Sequence, residues 1–279
     1  IIDNSSNNST VFNAVLQNLV DQKFPVNDDM KEDAATIIKQ IKSAYKSNYG
    51  DNYKDSLNQA LTSAGYKNLS EYRQKMIKQI QYANFLLDYI DDHFDDVFND
   101  YYQQCAPKYV SLIKISVSDT SSPTDDETSK LNEVKELISN TDKSFGDIAQ
   151  DYSNDSTSSK KGSLGIVDSK DTSGIANSYG KDVFNAIEAL SEGQVSDVIT
   201  GDNGYYFVKV TSTDKDSIKK EIKKDLSIDT PLIAYDKYMS YIVYQSYNVK
   251  YDDKNTEKII NNVIDEALKE RETSRGGTN

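Results

Sequence analysis

At Pro107 the hydrophobic pattern of this chain changes period. Upstream, apolar residues recur every three or four positions, as in Phe12, Val15, Leu16, Leu19 and Val20, and again in Met30, Ala34, Ile37, Ile38 and Ile41. That spacing gathers them on one face of a helix. Downstream, Tyr109-Val110-Ser111-Leu112-Ile113-Lys114-Ile115-Ser116-Val117 is dense in β-branched side chains and reads as a strand. After Thr213 helical spacing returns, in Ile218, Ile222 and Leu226, then in Ile259, Ile260, Val263, Ile264 and Leu268. The order predicts an α+β fold: a unit at 107–212 with a small antiparallel sheet, inserted into a discontinuous all-helical domain.

Each part has its own texture. Residues 1–10 are polar and rich in Asn and Ser, a flexible tether. Residues 11–106 form the N-terminal helical part, with helices at about 28–45 and 54–64, and a long one after Ser70 that carries Met76, Ile77, Ile80, Leu87 and Ile90. A short acidic helix with Phe94, Val97, Phe98 and Tyr101 ends it. In the middle unit, Leu131, Val134, Leu137 and Ile138 mark one helix, and 145–152 and 181–190 mark two more. Strands are expected at 195–200 and 205–211, joined by a hairpin turn at Asp202-Asn203-Gly204. Residues 213–272 supply C-terminal helices that complete the helical domain, including one at Tyr235–Gln245, and 273–279 read as a disordered tail. The apolar faces of these last helices need a partner. The N-terminal helices offer one, within one chain or exchanged between two chains as a swapped homodimer.

Charge and residue counts exclude several functions. The chain has 279 residues, with 32 basic against 45 acidic, a formal charge of -13, and no run of Lys and Arg as a local exception. Nucleic acid is therefore not an expected partner. No apolar run is long enough to span a bilayer. No signal peptide is visible, and a chain beginning at Ile1 reads as processed or trimmed. Cys105 and His93 are the one cysteine and the one histidine, which leaves no internal disulfide, no multi-His metal set and no cofactor motif. His93 lies in Asp91-Asp92-His93-Phe94-Asp95-Asp96 and reads as a surface side chain. The carboxylates around it splay at helical spacing and lack the glycine of a calcium loop.

Four segments of the middle unit resemble, in order, the parvulin family of peptidyl-prolyl isomerases. Phe145-Gly146-Asp147-Ile148-Ala149-Gln150-Asp151-Tyr152-Ser153 looks like that family's helix-then-loop entry, and Ser156 through Gly165 like its serine-rich loop and Gly-x-Leu-Gly turn. Glu188 through Ser196 resembles the helix end and turn, and Asn203-Gly204-Tyr205-Tyr206-Phe207-Val208-Lys209-Val210 the closing strand. The helical flanks, with Tyr49-Gly50-Asp51, Leu57 to Gly65 and Tyr101-Tyr102, are similar to those of PrsA-type foldases and related protease-maturation lipoproteins of Gram-positive bacteria. That resemblance implies an extracytoplasmic foldase held on the outer face of the membrane by a lipid anchor upstream of Ile1. Its partners would be unfolded or newly exported polypeptides.

Two positions depart from the family pattern. Leu112 stands where the first strand has a histidine, and Tyr206 where the last strand has one. Asp155 matches the Cys/Asp position of the serine-rich loop, Leu164 an apolar floor residue, and Val183 or Phe184 the aromatic slot. Rotation about X-Pro faces a barrier of ~18–20 kcal/mol because twisting breaks amide resonance. Lowering it needs no nucleophile, only an apolar seat for the ring and polar groups that favour the twisted amide. Leu112 cannot hydrogen bond and Tyr206 only partly replaces an imidazole, so the degenerate site implies a loss of about tenfold to thousandfold, ~1.4–4 kcal/mol. Three functions stay open: a foldase with weak or no isomerase activity, an active peptidyl-prolyl isomerase, and a surface interaction or adhesin protein with an inherited fold. The recurrence of Tyr235, Tyr238, Tyr241 and Tyr244 is open between helix packing and a client-facing groove.

Overall fold

A computed structural model describes residues 4–276. The elements run α1 (Asn4–Lys23), α2 (Asp28–Tyr49), α3 (Tyr53–Ser63), α4 (Leu69–Asp92), α5 (Phe94–Cys105), β1 (Lys108–Ser116), α6 (Asp125–Asn140), α7 (Phe145–Tyr152) and β2 (Ser163–Val167). They continue with α8 (Ile175–Tyr179), α9 (Lys181–Ala189), β3 (Ile199–Gly201), β4 (Gly204–Ser212), α10 (Lys215–Lys224), α11 (Pro231–Ala234), α12 (Met239–Ser246) and α13 (Lys254–Gly276). Two compact units result. One holds the described residues up to His93, Ser227–Asp229, and those from Asp236 on; the other holds Phe94–Leu226 and Thr230–Tyr235.

The first unit is helical. Asn27 starts α2 by accepting the Met30 N–H at 2.9 Å, and Asn68 starts α4 by accepting that of Glu71 at 2.9 Å. Glu71 in turn accepts the Lys67 N–H at 2.7 Å, so donors that a helix start leaves orphaned are satisfied. Met30, Ala34 and Ile38 of α2 pack against Met76, Ile77 and Ile80 of α4. α13 packs along α1, and Phe12 stacks on Tyr241 at 4.6 Å with Tyr244 edge-on at 5.3 Å. The C-terminal helices α12 and α13 thus cover the N-terminal ones within one chain. Tyr238 and Tyr244 are buried, as helix packing requires.

Three sequence expectations change here. α1 starts at Asn4, so residues 4–10 continue a helix rather than a tether; residues 1–3 lie outside the described part. α13 likewise takes in 273–276 of the expected tail, and 277–279 lie outside. The single helix expected at Tyr235–Gln245 is interrupted before Met239. Asp236, 6% exposed, accepts the Tyr238 N–H at 2.9 Å and guanidinium groups from Arg271 at 2.6 Å and Arg275 at 2.9 Å. A buried carboxylate so held fixes a turn that apolar periodicity cannot reveal.

The second unit is built on an antiparallel sheet of order β2-β1-β4-β3. β1 is central and buried on both sides. Val110 and Leu112 join Tyr206, Val208, Val167, Val183 and Ile187 on the face covered by α8 and α9. Ile113 and Ile115 join Phe207, Leu131, Val134, Phe145 and Ile148 under α6 and α7. Each fully buried aliphatic side chain contributes about 1.5–3 kcal/mol, which makes β1 the axis of both cores. The hairpin turn falls at Asp202-Asn203, between Gly201 and its partner Gly204. The strand expected at 195–200 shortens to Ile199–Gly201. Val195 keeps one bridge to Lys209, and the Ser196 hydroxyl takes the Val208 N–H at 3.1 Å in place of a ladder carbonyl.

This unit is wider than the 107–212 segment that sequence texture outlines. Tyr101 of α5 donates its hydroxyl to Asp168 at 2.9 Å in a buried pair, and Tyr102 donates to the Thr213 carbonyl at 2.7 Å. α10 packs on α5, with Lys219 to Asp95 at 3.0 Å and the Lys223 ammonium 4.6 Å over the Phe94 ring. Ile218 and Ile222 are therefore buried in this unit, where α10 meets α5, the last helix of the expected N-terminal part. The connection from β4 to α10 is only Thr213 and Asp214, with Asp214 capping the helix, which keeps α10 beside the sheet.

Candidate functional site

Strand register sets the geometry of the site. Leu112 faces Val208 across the β1–β4 ladder, and Lys114 faces Tyr206. Leu112 and Tyr206 are therefore diagonal neighbours on one face of the sheet. Leu112 is fully buried in the apolar cluster and its N–H donates to the Gly162 carbonyl at 2.8 Å. Gly162 itself has φ +76, and a Cβ there would lie 2.4 Å from the Leu112 carbonyl oxygen. Glycine in the turn before β2 is thus required by close backbone approach.

Beside this bed opens a cleft of about 680 Å³, lined among others by Lys114, Asp155, Tyr179, Val183, Asn203 and Tyr206. The Tyr206 hydroxyl donates to Asn203 Oδ1 at 2.8 Å, and the Lys114 ammonium sits 5.7 Å over its ring. Asp155 opens the turn Ser156–Lys160, accepting the Thr157 N–H at 2.9 Å and the Thr157 hydroxyl at 2.7 Å. Tyr179, at the end of α8, donates a longer bond of 3.4 Å to the same Asp155 oxygen. Burial, reinforced by the Asp155 charge, pushes both the Tyr206 and the Tyr179 hydroxyls above the ordinary phenol value. Both are neutral donors at physiological pH.

The sequence-derived site residues separate into wall and bed. Asp155, Val183 and Tyr206 line the cleft. Leu112, Leu164 and Phe184 belong to the apolar cluster beneath and do not line it. Between the two candidates for the aromatic slot, Val183 is buried and reaches the cleft wall, while Phe184 is half-buried and packs from the side. Sequence reasoning missed Tyr179, Lys114 and Asn203. α8 has five residues, too few to display a period, and only the β1–β4 register puts Lys114 beside Tyr206. His93 is exposed and closes α4, its ring stacked on Tyr89 at 4.1 Å, and it is not among the residues lining the cleft. Among the described residues no group of three or more His, Cys, Asp and Glu could hold a metal ion. The lining is mixed: Val183, Ile199 and the rings of Tyr179 and Tyr206 stand beside Asp155, Asp182, Asp202, Lys114 and Lys181. That arrangement can seat a ring and hold a carbonyl, but offers no activated nucleophile.

Comparison with known proteins shows what the chain is similar to. The family model for the rotamase, or PPIC-type PPIASE, domain matches residues 112–212. Foldase protein PrsA of Staphylococcus aureus is 27% identical over 154 residues, covering 53% of this chain and 44% of the relative. Its Staphylococcus epidermidis counterpart is 30% identical over 141 residues, covering 48% and 41%. The match thus spans less than half the length of these relatives. The crystal structure of foldase protein PrsA from Streptococcus pneumoniae superposes with a TM-score of 0.46 at 20% identity, covering 92% of this chain and 90% of that one. Residues 112–212 thus match the PPIC-type rotamase domain, and about half of the chain is similar to PrsA foldases.

Proposed function

We propose that this protein is an extracytoplasmic foldase that holds exported polypeptides, and that its parvulin cleft binds proline-containing segments while isomerising them slowly. The observation that carries the reading is the convergence of Asp155, Val183, Tyr179 and Tyr206 on one cleft within a rotamase-family domain. The proline ring would rest against Val183 and the tyrosine rings, with the apolar cluster around Leu112 behind them. A neutral hydroxyl would hold the neighbouring carbonyl. Leu112 and Tyr206 at the two strand positions leave no coupled imidazoles to order the polar side, so the rate would fall about tenfold to thousandfold below a histidine-bearing parvulin.

Attachment to the outer face of the membrane would come from a lipid anchor upstream of Ile1. Among the described residues no helix is long and apolar enough to cross a membrane. A homodimer by exchange of C-terminal helices is also part of this reading. α13 packs on α1 within one chain, so exchange would reproduce the same contact between two copies. The test measures cis/trans exchange of a proline peptide by NMR for the natural chain and for Leu112→His/Tyr206→His. In parallel, suppression of aggregation of an unfolded secreted protein is followed. Fast isomerisation by the natural chain would instead favour a true isomerase, and failure to hold the unfolded protein would favour an interaction protein.

A further inference from the structure

One face of the first unit carries the charge opposite to that of the whole chain. The start of α2 holds Asp28, Asp29, Glu32 and Asp33, but residues 34–50 contain Lys39, Lys42 and Lys46 and no carboxylate, in a chain of formal charge -13. At helical spacing Ala35, Lys39, Lys42, Lys46 and Tyr49 fall on one side of α2, and all five are exposed. Tyr49, 52% exposed, is the large hydrophobic residue most open to solvent among the described residues, and it stacks on Tyr45 at 5.5 Å. α4 brings a fourth cation, Arg73, to this side. Ala35, Ile38, Lys39, Lys42, Leu69 and Arg73 surround an open notch of about 460 Å³.

The cations there are not neutralised from within. Arg73 is held by a bond to the Lys31 carbonyl at 3.4 Å. Lys31 and Lys78, on the same two helices, pair with Asp28 and Asp21, whereas Lys39 and Lys42 make no ion pair among the described residues. Glu71, the carboxylate closest in sequence to Arg73, is turned back onto the Lys67 N–H. The floor is apolar, from Ile38 and Leu69.

We propose that this notch docks an acidic segment of a partner polypeptide. Its carboxylates would meet Lys39, Lys42 and Arg73, and one apolar side chain would enter between Ile38 and Leu69. Charge complementarity selects the sign of the partner, and the apolar floor selects a peptide over a polyanion that offers charge alone. A duplex or an anionic lipid surface would also bring its charge against the acidic remainder of the chain. The cluster is assembled from two helices, so no run of basic residues announces it.

The test uses a short fluorescein-labelled peptide of alternating Glu and Gly around one Leu, titrated by anisotropy against the full chain. Lys39→Glu/Lys42→Glu should weaken binding by about tenfold or more, and the same peptide with Gln for Glu should not bind. Replacing the Leu by Ser should weaken it several-fold, and raising salt toward ~1 M, where the screening length falls to ~3 Å, should abolish it. Circular dichroism checks that the variant keeps its helices, with Lys39→Gln/Lys42→Gln used if the reversal does not fold. Equal binding by the variant, by the Gln peptide or by the Ser peptide overturns the proposal. So does equal binding of phosphatidylglycerol vesicles, or no binding by the natural chain.

Discussion

The ring of Tyr179 meets the ring of Tyr206 edge-on, with centroids 6.3 Å apart and planes at 80°. The contact joins α8 to β4, and it puts two phenols on one wall of the cleft. Such pairs contribute about 0.5–1.5 kcal/mol beyond the area they bury. Tyr179→Ala should therefore weaken proline-peptide binding by about twofold to tenfold, and Tyr179→Phe by less, because the ring survives and only the long bond to Asp155 is lost. Isothermal titration of both variants distinguishes a seat made of rings from one made of hydroxyls. An equal loss in the two would favour the hydroxyl.

Asp155 acts on the loop before it acts on any ligand. It accepts two bonds from Thr157 at the start of the turn, as an N-cap does. Asp155→Ala should cost about 0.5–2 kcal/mol of stability, with Asp155→Asn recovering most of it. The residual isomerisation rate should change by less than tenfold, since no histidine lies beside the carboxylate for its charge to tune. Urea unfolding and the exchange assay, run on the same samples, separate the two effects.

Any residual rate should be flat with pH. The Tyr179 and Tyr206 hydroxyls are raised above the ordinary value of 10.0, so neither ionises between pH ~6 and ~9. Leu112→His/Tyr206→His should add an inflection near pH ~6.5, where imidazole titrates. An inflection there in the natural chain would point to a titrating group that the cleft does not contain.

Glu127 gives a stability signature at acid pH. It completes a capping box with Thr124 at the start of α6, and the Thr124 and Ser118 N–H groups hold its carboxyl down from 4.5 to about 2. A depressed acid stabilises the fold fully above its unfolded value and loses that contribution as pH falls through the folded one. Glu127→Gln should therefore be less stable than the natural chain at neutral pH, and the gap should close as pH falls from 4.5 toward about 2. Thermal melts across that range check it; a gap that widens on acidification would contradict the assignment.

Fragments should show where the parvulin unit ends. Residues 94–226 carry α5 and α10 and should unfold cooperatively. Residues 107–212 lack Tyr101, which leaves buried Asp168 without that donor, so this shorter piece should be less stable by about 1–3 kcal/mol. Equal midpoints in urea would mean that α5 adds nothing to the core.

The sequence made some of this legible and hid the rest for physical reasons. The period change at Pro107 and the turn at Asp202-Asn203-Gly204 are local signals, and they located β1 and the β3–β4 hairpin. The resemblance to the parvulin pattern points to Leu112, Asp155 and Tyr206, and two of the three reach the cleft. Tyr179 carried no such signal, nor did Lys114, whose role depends on cross-strand register. The true extent of the unit was hidden because Pro107 ends a helix without saying what that helix packs on. Asp236 interrupted an expected helix through partners more than thirty residues away.

The pairing of β1 with β4 has a consequence for how the chain acquires its structure. The first strand of the sheet finds its central partner only when the last has been synthesised, and α1 is likewise covered by α13. Contacts so distant in sequence are slow to form, because a long loop must close before they repay its entropy. During synthesis β1 therefore has only the short edge strand β2 as a partner, and α1 lacks its α13 cover, so a transcript broken before β4 would yield a product that aggregates.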